Sequence, residues 1–233
     1  MTSVKNLLAD AMHLFYPHVC TGCGSDLIEK NDLLCINCID ELPHTNFAFY
    51  EDNPIEKVFT GRIVTRAAHS EFYFSKGQLI QHLIHLLKYK NNKEVGIYLG
   101  EIMGNTLLRS TRFSNIDYVI PLPLYADKEF KRGYNQAEVI CRGISRSANI
   151  PVLIHNVVRQ RPTETQTRKH RAERWQNVDG SFIIKDPETL RGKNLLLVDD
   201  VITTGATLEA CGQTILQVPG TSISFASLAH ASK

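Results

Sequence analysis

A chain of 233 residues with 43% apolar and 21% charged side chains has the composition of a globular protein, long enough for one medium domain and a small one. No apolar run reaches the roughly 20 residues of a membrane-spanning helix, and the N-terminus lacks the apolar core and small-residue cleavage site of a secretory signal, so the expected compartment is the cytoplasm. A net charge of +2 is too small to point to nucleic acid by itself.

Residues 3–16 place Leu7, Leu8, Met12 and Phe15 at helical spacing, and Pro17 stops the pattern. The expected helix docks on the body of the protein, because its polar face carries too few cations for a membrane surface. Cys20, Cys23, Cys35 and Cys38 follow as C-x2-C, eleven residues, C-x2-C. Each pair can grip one metal ion through a tight turn, and Gly22 and Gly24 permit the bends. Four thiolates favour tetrahedral zinc in a closed, structural site, with an iron–sulfur cluster as the rival; a disulfide reading fits a reducing compartment poorly. So short a segment buries little core, so the metal is expected to supply most of its folding energy, on the order of 10 kcal/mol. A chelator is expected to unfold it and leave the rest intact.

Residues 45–61 have no clear period and read as a connector, and Ile63, Val64, Phe72, Tyr73 and Phe74 suggest a strand within 62–74. Two helices are expected over 76–110, broken near Asn91–Asn92. Strand–helix alternation then begins. Strands are expected at 118–120, 157–158, 181–184, 195–198 and 222–226, and helices at 135–148 and 205–217. Such alternation argues for a mainly parallel sheet flanked by helices. Cys141 and Cys211 fall on the helices and read as core.

The segment Asn194–Leu208, NLLLVDDVITTGATL, is the most informative. Leu195–Val198 is the short apolar run of a strand covered on both faces. Asp199 and Asp200 sit at its expected end, where open α/β sheets bind ligands. Thr203, Thr204, Gly205, Ala206 and Thr207 then bring hydroxyls and backbone N–H groups to a helix N-terminus, which favours a phosphate. Adjacent carboxylates suit the hydroxyls of a ribose, and the turn suits its 5-phosphate. A buried strand with an ordinary capped turn is the plain alternative, but so many polar groups near a core are costly as filler. Neither a Walker A loop nor G-x-G-x-x-G is present.

Other pieces could complete this site. Pro121-Leu122-Pro123-Leu124 follows a strand and fixes an irregular loop. Lys131-Arg132-Gly133 places cations beside a helix start, suited to pyrophosphate or simply to a solvated turn. From Arg159 to Arg174 there are six cations and two acids. The segment Arg159–Phe182 is long for a passive connection. It suits a lid over an anion, a nucleic-acid contact through Arg168, Lys169, Arg171 and Arg174, or a solvated charged helix. Trp175, Tyr134 and Tyr89 are scattered candidates for base stacking.

The LLLVDDVITTGAT motif resembles the site for 5-phosphoribosyl-1-pyrophosphate (PRPP) of type I phosphoribosyltransferases. With Cys20, Cys23, Cys35, Cys38, Lys88-Tyr89, Pro121-Leu-Pro123, Arg132-Gly-Tyr-Asn-Gln136, Arg159 through Gln166, and Arg174 and Asn177-Val178 before Phe182, the chain resembles the ComF family of competence proteins. The resemblance implies an α/β fold: a type I phosphoribosyltransferase-like, mainly parallel sheet over 49–233, with a helix and four-Cys zinc knuckle over 1–48. It implies that Asp199 and Asp200 bind the ribose hydroxyls, that Thr203, Thr204, Gly205, Ala206 and Thr207 wrap the 5-phosphate with Val201 also in the PRPP site, and that Pro121, Leu122, Pro123, Arg132, Arg159 and Arg171 serve the pyrophosphate and flexible loop. Magnesium would accompany PRPP, and zinc would be structural. Partners implied are PRPP or a related sugar phosphate, single-stranded DNA, and a DNA helicase or translocase. Purine-salvage members tend to carry a carboxylate where this chain has Thr203, so purine salvage is not expected. Two roles remain: DNA uptake with a PRPP-like pocket, or transfer of ribose 5-phosphate to an unidentified nitrogen acceptor in nucleotide metabolism.

Overall fold

The computed structural model describes residues 18–75, 77–160 and 181–231. The expected helix at 3–16, and Arg168, Lys169, Arg171, Arg174 and Trp175, lie outside these residues.

Four parallel strands form the central sheet, in the order β1 (Ala68–Tyr73), β6 (Ser222–His230), β5 (Asn194–Ile202), β2 (Tyr118–Pro121). Beyond β2, Val119 pairs with the segment around Val152 through Val119 N–H to Pro151 O, 3.0 Å, and Leu153 N–H to Val119 O, 2.9 Å. The apolar run of β5 fills both faces by simple alternation. Leu196 and Val198 join one core with Val95, Leu99, Met103, Val139, Ile140 and Ile144. Leu195 and Leu197 join the other with Ile55, Phe59, Leu208, Cys211 and Ile215. Helices therefore cover both faces: α3 (Leu79–Tyr89), α4 (Lys93–Leu108) and α6 (Gln136–Ala148) on the first, α2 (Pro54–Phe59) and α7 (Ala206–Leu216) on the second. Two smaller helices complete the described set, α1 (Ile36–Asp40) and α5 (Ala126–Arg132).

The break at Asn91–Asn92 falls where expected: Asn91 has φ 53°, and Asn92 caps α4 by accepting Val95 N–H at 3.2 Å. Cys141 and Cys211 are fully buried. Several expectations need correction. The connector at 45–61 contains helix α2, whose Asn53 cap accepts from Ile55 and Glu56 N–H at 3.0 and 3.1 Å. Six residues are too few to show a period, but Asn-Pro at a cap and first turn was a readable signal. The strand in 62–74 is only Ala68–Tyr73; Val64 is 86% exposed. Residues Val157–Arg159 (β3) and Phe182–Ile184 (β4) pair antiparallel as a separate two-stranded ribbon, not in the main sheet. Lys131 and Arg132 end helix α5 rather than precede a helix directly, and Gly133, at φ 80°, terminates it. Strand β5 runs on through Asp199 and Asp200 to Ile202, because β6 continues to pair with it: Asp199 with Ser227, Val201 with Ala229, Ile202 with His230.

Helices α4 and α6 touch backbone to backbone. A Cβ on Gly100 would lie 2.3 Å from Ile140 O, and one on Gly143 would lie 2.1 Å from Ile97 O. Gly96 faces Val139 and Gly104 faces Ser147, so the two helices run parallel with their N-termini at the same end. The Gly-x3-Gly-x3-Gly spacing of 96, 100 and 104 carried this information in the sequence. Because Gly100 meets backbone rather than a flexible side chain, Gly100→Ala should force the helices apart. Its gain in helix propensity, about 1 kcal/mol, is outweighed by overpacking, and a net loss of about 1–3 kcal/mol is expected in urea unfolding.

Candidate functional site

The carboxyl ends of the parallel strands gather the motif residues at one edge. Asp200 is buried and Asp199 half-buried within β5. Asp199 Oδ1 accepts the Asp200 N–H at 2.8 Å, and Asp200 Oδ1 meets Lys88 Nζ at 3.0 Å. Burial first, and the Asp200 charge second, push the Asp199 carboxyl up to about 7, against the pull of Lys88 and Arg159. Like charges side by side in a poorly solvated edge are unfavourable without a ligand that supplies hydroxyls or positive charge.

Beyond β5 the chain turns. Thr203 and Thr204 are exposed, and Gly205, at φ 69°, precedes α7. Gly205 is doubly constrained, because a Cβ there would sit 2.8 Å from both Phe59 and Val58 of α2. Arg62, just past α2, donates to Thr204 O at 2.8 Å and to Val58 O at 3.0 Å, and pairs with Glu209 on α7. Sequence reading missed Arg62, since nothing near it in the chain resembles a site. The turn is thus braced from the face opposite α6, and Ala206 N–H at the start of α7 donates to Thr204 Oγ1 at 3.5 Å.

The proline loop stands next to it. Leu122 N–H donates to Val198 O at 2.8 Å, and Leu122 O accepts from Asn135 Nδ2 at 3.0 Å. Asn135 also caps α6 through Ala137 N–H at 3.0 Å, so one side chain ties the Pro121–Pro123 loop to the helix start. Arg132 donates to Gln136 Oε1 at 2.7 Å, and Tyr134 Oη donates to Leu87 O. Arg159, on β3, lies over the Tyr125 ring at 4.0 Å and near the Phe182 ring at 5.3 Å, and its charge reaches Asp199. Arg159 Nε and His230 Nδ1 are buried and have no hydrogen-bond partner among the described residues. The fold therefore brings Asp199, Asp200, Thr203–Thr207, Pro121–Pro123, Arg132 and Arg159 to one edge; Arg171 lies outside the described residues. Lys88 is the addition the fold makes, delivered by the end of α3.

The four cysteines form a second centre. Their sulfurs all lie within 4.8 Å of one another, a spacing that fits one tetrahedral metal ion. Burial would raise the Cys20 thiol, but N–H groups of Cys35, Cys23 and Gly22 bring it down to about 6, so the turn is built to hold a thiolate. Leu34, Cys35, Cys38 and Leu42 share one apolar cluster with Phe72, Ile80 and Leu83. The segment is also stitched to β1: Thr45 N–H to Glu71 O at 3.0 Å and Tyr73 N–H to Pro43 O at 2.9 Å. The buried Glu71 carboxylate meets His44 at 2.8 Å, His69 at 2.9 Å and Thr106 at 3.0 Å. Burial alone would raise its pKa; the two imidazoles hold it at about 2.

The phosphoribosyl transferase domain model matches residues 132–233. The DNA utilization protein YhgH of Shigella flexneri is 30% identical over 58% of this chain, and the chain spans 60% of that relative's length. Competence protein F of Haemophilus influenzae is 27% identical over 83% of this chain and 89% of its own. Among solved structures, the glutamine PRPP amidotransferase of B. subtilis aligns at TM-score 0.44 and 16% identity over 62% of this chain and 30% of its own.

Two predictions follow from the geometry of these centres. The folded state holds the Asp199 proton more tightly than the unfolded chain, whose carboxyl has a pKa of about 3.9, so stability falls as pH rises from about 4 through 7. Asp199→Asn should raise the Tm by about 3 °C or more near pH 8, and the gain should vanish near pH 4. An unchanged Tm near pH 8 would show that the carboxylate carries no such strain. Second, chelation should lower the thermal stability of the whole sheet, because the cysteine segment shares its core; this revises the expectation that the rest stays intact. A calorimetric scan with two separate transitions, the larger unmoved by chelator, would count against it.

Proposed function

We propose that this chain, similar to Competence protein F and to YhgH and matched over residues 132–233 by the phosphoribosyl transferase domain model, binds PRPP or a related sugar phosphate at the Asp199–Thr207 edge and acts in DNA uptake. The observation that carries the reading is the carboxylate pair immediately before a braced, glycine-capped turn at a helix N-terminus. Asp199 and Asp200 accept hydrogen bonds from the ribose hydroxyls, which relieves their mutual repulsion. The turn from Thr203 through Thr207 receives the 5-phosphate with its hydroxyls and the backbone N–H groups at the start of α7. The pyrophosphate lies toward Pro121–Pro123, where Arg132 and Arg159 balance its charge. The carboxylates are hard oxygen donors that suit magnesium, which when bound with PRPP would neutralise the departing pyrophosphate. The four-Cys centre holds zinc as a structural ion.

The names of the relatives support a role with DNA, and single-stranded DNA handled in the cytoplasm with a helicase or translocase partner is the form of it we propose. A second reading, transfer of ribose 5-phosphate to a nitrogen acceptor, is favoured by the intact edge. Positioning and charge neutralisation would do most of that work, since the reacting sugar carbon becomes cationic. Thr203 offers no base, so hypoxanthine and guanine should give no PRPP-dependent turnover.

Titration calorimetry with PRPP and Mg²⁺ tests the assignment. The wild type should bind, and Asp199→Ala/Asp200→Ala should weaken binding at least ~10-fold, the loss expected for charge-assisted hydrogen bonds of about 1.5–3 kcal/mol each. A wild type that does not bind PRPP removes the sugar-phosphate assignment.

A further inference from the structure

Beside the carboxylate pair lies a second, more basic depression. A groove of about 510 Å³ is lined by Lys88, Tyr89, Asn91, Lys128, Lys131 and Arg132. Its near end is Lys88, 3.0 Å from Asp200. Four cations line it, and no carboxylate does among the described residues. A single pyrophosphate is compact and is matched by one or two of these charges. A row of cations leading away from the ribose carboxylates suits a chain of phosphates.

The aromatic groups beside it point the same way. His85 and Tyr89 sit one turn apart on α3 with their rings 5.0 Å apart. Both are exposed, Tyr89 by 64%, so the pair covers no core. Helix α5, which supplies Lys128, Lys131 and Arg132, buries none of its side chains, and its Phe130 is 89% exposed. Its cations are therefore placed for the surface and contribute little to the fold. Cations flanking an exposed ring pair make a platform on which unpaired bases stack while their phosphates are neutralised.

We infer that this groove and the Tyr89–His85 pair form the track of a single-stranded nucleic acid whose end reaches the site at Lys88. The inference deepens the proposed role and rests on it for placing the strand end beside Asp200. A duplex keeps its base faces covered and gains only the phosphate contacts.

Fluorescence anisotropy with a labelled oligo(dT) of about 15 nucleotides, across a salt series, tests the track. Tyr89→Ala should weaken binding by about 5- to 100-fold. Lys128→Gln should lower the slope of log affinity against log salt by about 0.7. Neither side chain supports the core, so both variants should keep the wild-type Tm, and Tyr89→Ala should keep wild-type PRPP binding by calorimetry. A duplex of equal length should bind more weakly than oligo(dT) and be indifferent to Tyr89→Ala. The track is overturned by an absence of oligo(dT) binding, by variants that bind as wild type, or by a charge effect without a Tyr89 effect, which would mark a bare phosphate groove. Failure of PRPP binding alongside the expected oligo(dT) results would remove the sugar-phosphate reading and leave the track; PRPP binding with failed oligo(dT) results would remove the track alone.

Discussion

The architecture depends on the glycine seam between α4 and α6. At Gly100 and Gly143 each helix backbone lies against the other, with no room for a side chain between them. Such close approach fixes the helices in register as well as in distance. Because they run parallel, the connection into α4 and the connection into α6 emerge at the same end. Lys88 precedes one and Asn135 the other. Tyr134 Oη reaches Leu87 O, and Lys93 Nζ lies 5.0 Å over the Tyr134 ring, so the two connections are locked together. From there Lys88 meets Asp200 and Asn135 holds the proline loop. The seam's glycines bring no chemistry of their own, yet they set where the cations and the loop stand.

The edge it organises is electrostatically unsettled. Two adjacent carboxylates are set into the sheet, Asp199 beside Ser227, and among the described residues only Lys88 makes a close ion pair with either. The burial that raises the Asp199 pKa also strengthens every interaction a ligand makes there. Stability and function are thus opposed at this position, a common arrangement where a site is held ready for charge it does not itself contain. The support comes from elsewhere: Arg62 and Phe59 brace the Thr203–Thr207 turn from the second core, and Asn135 braces the proline loop from the first.

The cysteine segment belongs to this economy of support. The buried Glu71, His69 and Thr106, with the exposed His44, make a polar junction between the segment and the edge strand β1. The segment also covers the outer end of the core beneath α3. A metal at the four cysteines would therefore steady the helix that carries Lys88 and Tyr89, a physical link between the two centres.

Much was legible in the residues themselves. The parallel strand β5, its carboxylates, the turn at Thr203–Thr207 and the four-Cys spacing all rest on local rules, namely alternation, end position, helix capping and ligand spacing. The Asn91–Asn92 break was legible for the same reason. Helix α2, too short for a period, was missed as a helix, and the three-residue ribbon strands were misassigned to the sheet because short apolar runs carry no pairing information. The length of β5 was missed because its end is set by β6, not by its own side chains. Arg62, Lys88 as a partner of Asp200, and the basic groove are products of long-range packing. The sequence by itself determined which chemical groups this protein can bring to a ligand, because residue type and local spacing are covalent facts. Only the tertiary structure decided which of them meet, because that depends on how closely two helix backbones approach, a distance set by glycines that carry no chemistry of their own.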